Sequence, residues 1–137
     1  MSTFSETITL KNKREAGNAK VGFIPESDVH SMTVSAFVDT GSWYLVINEE
    51  VRAALGLELD GVASVELADG TVKEFPITEP VEYRWKDRKS SIGAMLIPES
   101  SDVIFGAICM EALDLIVDPV DECLHGKHGD KTLHKLK

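Results

Sequence analysis

Short strand-like segments follow one another along this chain with turn residues between them, and that pattern limits its fold more than anything else. Apolar or alternating stretches recur at 6–10 (ETITL), 32–38 (MTVSAFV), 44–47 (YLVI), 81–85 (VEYRW), 92–97 (IGAMLI), 102–106 (DVIFG) and 114–118 (DLIVD). Each has strand length, and several alternate polar with apolar residues as half-buried strands do. Residues 63–77 (ASVELADGTVKEFPI) read as a hairpin, with Asp69–Gly70 as the turn. Only two segments carry helix signals. In 48–56, Asn48 can cap the N-terminus, Glu49 and Glu50 suit the positive end of the dipole, and Gly56 supplies the stop. The second is the short amphipathic stretch AICMEAL at 107–113. Residues 11–30, polar with glycines and a proline, read as a surface loop, with a short turn near Val21–Ile24. The segment 119–124 (PVDECL) turns back as a final strand, and the polar, basic tail 125–137 is expected to fray. The expectation is one all-β domain over residues 1–124, mostly β with two short helices.

Composition narrows the function. At 137 residues, with 43% hydrophobic and 27% charged side chains, the chain suits one globular domain with its own core. A formal charge of −9 argues against nucleic-acid binding, since phosphate contacts need a cationic surface. The N-terminus lacks the pattern of a secretory signal, and no apolar run approaches the roughly 20 residues that span a bilayer. Two cysteines, Cys109 and Cys123, fit a reducing compartment better than a disulfide framework. A cytoplasmic protein without membrane or nucleic-acid partners is expected.

The chemistry concentrates in VSAFVDTGSWYL, residues 34–45, where an apolar strand ends on Asp39. A carboxylate there is costly unless it is hydrogen-bonded, paired or chemically employed. Asp and Gly are also ordinary turn residues, so Asp39 taken alone reads as a strand end satisfied by turn amides. The triplet Asp39-Thr40-Gly41 arises by chance in about one chain of this length in thirty to fifty. Its context is more demanding. FVDTG (37–41) and VIFG (103–106) both run apolar into glycine, on either side of the Asp69–Gly70 hairpin.

This ordered set resembles the retropepsin-like aspartic proteases, in particular a small prokaryotic single-lobed branch, over roughly residues 30–124. The resemblance implies an acid-protease barrel that works as a homodimer, with Asp39 of each copy forming the catalytic dyad. It assigns Thr40 to a hydrogen bond that holds the dyad rigid across the two-fold interface, and Gly41 to close approach of substrate. Asp69 and Gly70 become the tip of a flap over a bound peptide, and Ile104, Phe105 and Gly106 the structural apolar-apolar-glycine unit before a short helix. The implied reaction is peptide-bond hydrolysis by activated water, with no cofactor. Two carboxyls a hydrogen bond apart cannot both ionise, so one accepts a proton from water while the other protonates the carbonyl oxygen. A second reading keeps the fold but uses the groove as a non-catalytic peptide-binding or assembly module.

Trp43 and Tyr44, directly after the motif, either line a pocket or pack as core. Asp102, Asp114 and Asp118 flank apolar segments and read as caps or solvated ends. Cys123, His125, His128 and His134 offer zinc-binding atoms, but they lie in a glycine- and lysine-rich tail without a matching ligand pair upstream, so no metal is expected. Neither a glycine-flanked serine elbow nor a phosphate-binding glycine loop is present.

Overall fold

A computed structural model describes residues 4–134. The elements are β1 (Phe4–Asn12), α1 (Lys13–Lys20), a 3-10 turn (Glu26–Asp28), β2 (Ser31–Val38), β3 (Leu45–Ile47), α2 (Glu49–Leu55) and β4 (Leu59–Glu66). They continue as β5 (Val72–Trp85), β6 (Arg88–Leu96), β7 (Val103–Phe105), α3 (Ala107–Ala112), β8 (Leu115–Asp118) and β9 (Cys123–Gly126). The chain is therefore mostly β, with three short α-helices among the described residues where the sequence suggests two.

Six strands close into a barrel in the order β1-β2-β7-β3-β6-β5, because β5 pairs back onto β1 through Leu10↔Tyr83 and its neighbours. Most pairs are antiparallel, but β2–β7 and β3–β6 run parallel. β5 has two jobs. Its first half pairs with β4 from Glu66↔Val72 to Leu59↔Thr78, and its second half pairs with β1 and β6 in the barrel wall. Pro80 lies inside this long strand instead of breaking it, next to a register shift between Ile77 and Pro80. A bulge is where a strand tolerates a residue without an N–H. The β8–β9 hairpin forms a separate two-stranded sheet.

Alternation carries the core. Ile8 and Leu10 of β1, Ala36 and Val38 of β2, and Val81, Tyr83 and Trp85 of β5 point inward. β3 is buried along its whole length, and its Leu45 and Ile47 join Leu55, Leu57, Phe105 and Leu113 in the main cluster. Tyr83 meets Phe105 edge to face at 5.6 Å, and its hydroxyl donates to the Cys109 carbonyl at 3.4 Å. A smaller cluster of Val46, Phe75 and Met95, with Tyr44 and Val65 against it, fills the base of the β4–β5 hairpin.

One buried polar side chain ties two helices together. Asn12 Oδ1 accepts from the Glu15 amide at 3.0 Å, capping α1, while Nδ2 donates to the carbonyls of Leu55 (2.9 Å) and Gly56 (3.2 Å) at the end of α2. Both of its amide hydrogens and its oxygen are hydrogen-bonded, which is what permits its burial. α2 begins as its sequence suggests, with Asn48 Oδ1 accepting from Val51 N at 2.9 Å, and ends on Gly56 in the left-handed region at φ 64°.

Two expectations need correction. Within 11–30, residues Lys13–Lys20 are helical although none is buried, so no apolar periodicity announces α1. Polar contacts fix it: Arg14 to Glu79 at 2.9 and 3.1 Å, and Glu15 to the amide and ring of His30 at 2.9 and 2.8 Å. The described part of the tail, through residue 134, makes specific hydrogen bonds to the fold. His128 Nδ1 and the Leu133 amide both reach Asp114 Oδ2, at 2.7 and 2.9 Å. The buried Arg88 guanidinium donates to the carbonyls of Leu113 (2.8 Å), Asp114 (2.9 Å) and Gly129. Asp114 is thus a buried anchor in the left-handed region (φ 55°), not a solvated strand end. Among the described residues, no helix is long and apolar enough to cross a membrane.

Candidate active site

β2 delivers Asp39. Val38 is buried opposite Phe105, and the next rung of the parallel pairing is a hydrogen bond from Asp39 N to Phe105 O at 3.1 Å. The chain then turns sharply: Ser42 N donates to Asp39 O at 3.1 Å, and the Gly41 amide donates to Asp39 Oδ1 at 2.9 Å. The half-buried carboxylate is oriented by this local turn, with Thr40 and Gly41 exposed beside it. The ordinary turn chemistry that satisfies a strand-end aspartate is therefore present, and it also fixes where the carboxylate points.

The turn rests on β7 and α3. Gly106 has no room for a side chain. A Cβ there would meet the Tyr44 carbonyl oxygen first, with Ser42 O at 2.7 Å and the Trp43 carbonyl carbon at 2.8 Å. Backbone crosses backbone at this point, so only glycine fits. Just beyond it, Ala107 N donates to Ser42 O at 2.6 Å and Ile108 N to Trp43 O at 3.1 Å. The carbonyls of the Asp39 loop thus satisfy amides in the first turn of α3, and no side chain caps that helix. Ile104 packs on the smaller apolar cluster and Phe105 is fully buried in the main one, so the Ile104-Phe105-Gly106 unit locks the loop to the barrel.

The hairpin lies across from the loop. Its tip closes with Gly70 N donating to Leu67 O at 2.9 Å and Leu67 N to Thr71 O at 2.7 Å. Asp69 Oδ1 accepts from the Thr71 hydroxyl (2.6 Å) and amide (3.0 Å), which hold its carboxyl below the usual range. Asp69 thereby shapes the turn, and Gly70 adopts φ 86° in open space. Between loop and hairpin runs a groove of ≈ 580 Å³ lined by Gly41, Ser42 and Trp43 on one side and Ser64, Val65 and Glu66 of β4 on the other. Trp43 is 69% exposed there, whereas Tyr44 packs into the smaller cluster. Trp43 thus stands as an exposed groove residue, while Tyr44 both lines the groove and packs. Glu66 and Ser64, on the groove wall, carry no motif that marks them in the sequence.

A second cavity of ≈ 390 Å³ opens on the other side of the loop, where Thr40 meets Met110 of α3 and Ile116 and Val117 of β8. Ile116 is 45% exposed on this face. Cys109 contributes no nucleophile, since burial pushes its thiol up to about 12. His128 and His134, grouped with Cys123 and His125 by sequence, point elsewhere: His128 to Asp114 and His134 Nε2 to the Ala112 carbonyl at 3.1 Å. Asp118, from the facing strand, lies beside Cys123 and His125 instead. No family model matches this chain, and no curated protein matches it, so its site is judged on geometry alone.

Proposed function

We propose that the protein is a retropepsin-like aspartic endopeptidase that works as a homodimer, with Asp39 of each copy sharing a proton with its counterpart. The observation that carries this reading is the setting of Asp39. It ends a core strand, on a loop locked beneath by Gly106, and the residues that follow it, Gly41 to Trp43, line a groove walled on the other side by Ser64–Glu66 of the β4–β5 hairpin. One chain supplies one such carboxylate, and a two-fold axis would set the same residue against itself. The face beside Thr40, where half-exposed Ile116 and Val117 lie among Glu111, Asp114 and Lys127, is the surface the second copy would cover.

In that dimer one carboxylate takes a proton from water as the water attacks the scissile carbonyl, and the protonated partner donates to the carbonyl oxygen. The groove backbone and Trp43 would hold the peptide while the hairpin closes over it. The exposed Trp43 would serve a non-catalytic peptide binder equally well, so cleavage must be separated from binding.

Digestion of a peptide library, read by mass spectrometry, should show cuts by the wild type, with rates reduced about 10²–10⁴-fold in Asp39→Asn. Peptide binding retained by both proteins without cuts by either would favour the binding module. Equal cleavage by the two proteins would remove Asp39 from the chemistry.

A further inference from the structure

Outside the barrel, β8 and β9 pair so that Asp118 stands opposite Cys123. Cys123 and His125 are two residues apart on β9 and therefore share a face of the sheet. Three different metal-ligating atoms converge there. Cys123 Sγ lies 3.5 Å from His125 Nε2, which lies 3.0 Å from Asp118 Oδ2, and all three atoms fall within 4.8 Å of one another. Around a tetrahedral zinc ion, bonds of about 2.3 Å to sulfur and about 2.0 Å to nitrogen or oxygen set S···N near 3.5 Å and N···O near 3.3 Å. The S···N and N···O distances observed need adjustment of only a few tenths of an ångström.

The carboxylate is also pre-aimed. Asp118 Oδ1 accepts from the amides of Val120 (2.9 Å) and Asp121 (3.0 Å), which turns Oδ2 toward the imidazole. Such outer contacts are what orient a metal-binding carboxylate. His125 is largely exposed, so an ion reaches the site directly from solvent.

We propose that Asp118 Oδ2, Cys123 Sγ and His125 Nε2 form a zinc site, with water as the fourth ligand. On binding, the Sγ–H bond breaks, a Zn–Sγ bond forms and the proton leaves to solvent, while His125 binds through the lone pair of its neutral ring. The site clips β8 to β9 and is independent of the role given to Asp39.

Cobalt(II) titration of the full chain under reducing conditions tests it. The chain has two cysteines and Cys109 is fully buried, so a thiolate-to-cobalt charge-transfer band reports on Cys123. The expected result is uptake of one cobalt per chain, with that band, tetrahedral visible absorption and displacement by zinc. Cys123→Ser should abolish the band, and His125→Ala and Asp118→Asn should each weaken binding at least about tenfold. His134→Ala should leave the titration unchanged. Absence of stoichiometric uptake, a band that survives Cys123→Ser, or affinity indifferent to His125→Ala would overturn the assignment.

Discussion

Gly106→Ala should be among the most damaging single-methyl additions in this protein. The new Cβ would press on the Tyr44 carbonyl oxygen while standing 2.7 Å from Ser42 O and 2.8 Å from the Trp43 carbonyl carbon. All three are backbone atoms, so no side-chain rotation relieves the clash. Overpacking of this kind costs about 1–3 kcal/mol. Moving the loop away stretches the bonds from Ala107 N to Ser42 O and from Ile108 N to Trp43 O, each worth about 1 kcal/mol. The expected loss is therefore about 3–5 kcal/mol, read as a lower urea midpoint with an unchanged slope. Gly70→Ala is the control. That residue has φ 86° but open space around it, so it should lose only about 1–2 kcal/mol. If Gly106→Ala costs less than about 1 kcal/mol, or no more than Gly70→Ala, the crossing of the two backbones does not fix the Asp39 loop as described.

Asn12→Ala removes three hydrogen bonds and leaves the ends of α1 and α2 without their shared partner. Thermal and urea unfolding should show a loss of about 2–4 kcal/mol, and a change within 0.5 kcal/mol, taken as roughly the noise of a surface substitution, would refute the bridging role. Asp114 titrates below its ordinary range because His128 and the Leu133 amide bind its charged form. Its folded pKa is the lower one, so its contribution is complete above the unfolded value of about 3.9 and is lost as pH falls through the depressed folded value. Limited proteolysis at Lys127 and Lys131 should therefore accelerate at acid pH in the wild type, and Asp114→Asn should give the fast rate already at neutral pH.

What the sequence disclosed followed from periodicity and turn chemistry. The alternation in MTVSAFV, the Asp69–Gly70 turn, and the Asn48 and Gly56 boundaries of α2 all appear at the expected positions. α1 stayed hidden because KREAGNAK buries nothing. Its stability comes from Asn12, Glu79 and His30, which lie outside it. The order of the tail was hidden for the same reason, since it depends on Arg88 and Asp114 and not on an apolar stripe. At the candidate site, the DTG turn and the glycine after IF could be read directly. The groove wall of Ser64 and Glu66 could not, because β4 begins in an exposed, bulged stretch (Leu59–Val62) whose residues give no alternation.

Because β5 runs without interruption from the hairpin into the barrel, the hairpin has no independent hinge. At Thr78–Pro80, where the register shifts, Thr78 Oγ1 holds the Ala94 amide at 3.0 Å and Gly93 abuts the Thr78 carbonyl. The hairpin and the barrel wall thus share one continuous strand, fastened at its midpoint. A substitution at Thr78 or Gly93 would therefore be felt in both the groove wall and the barrel.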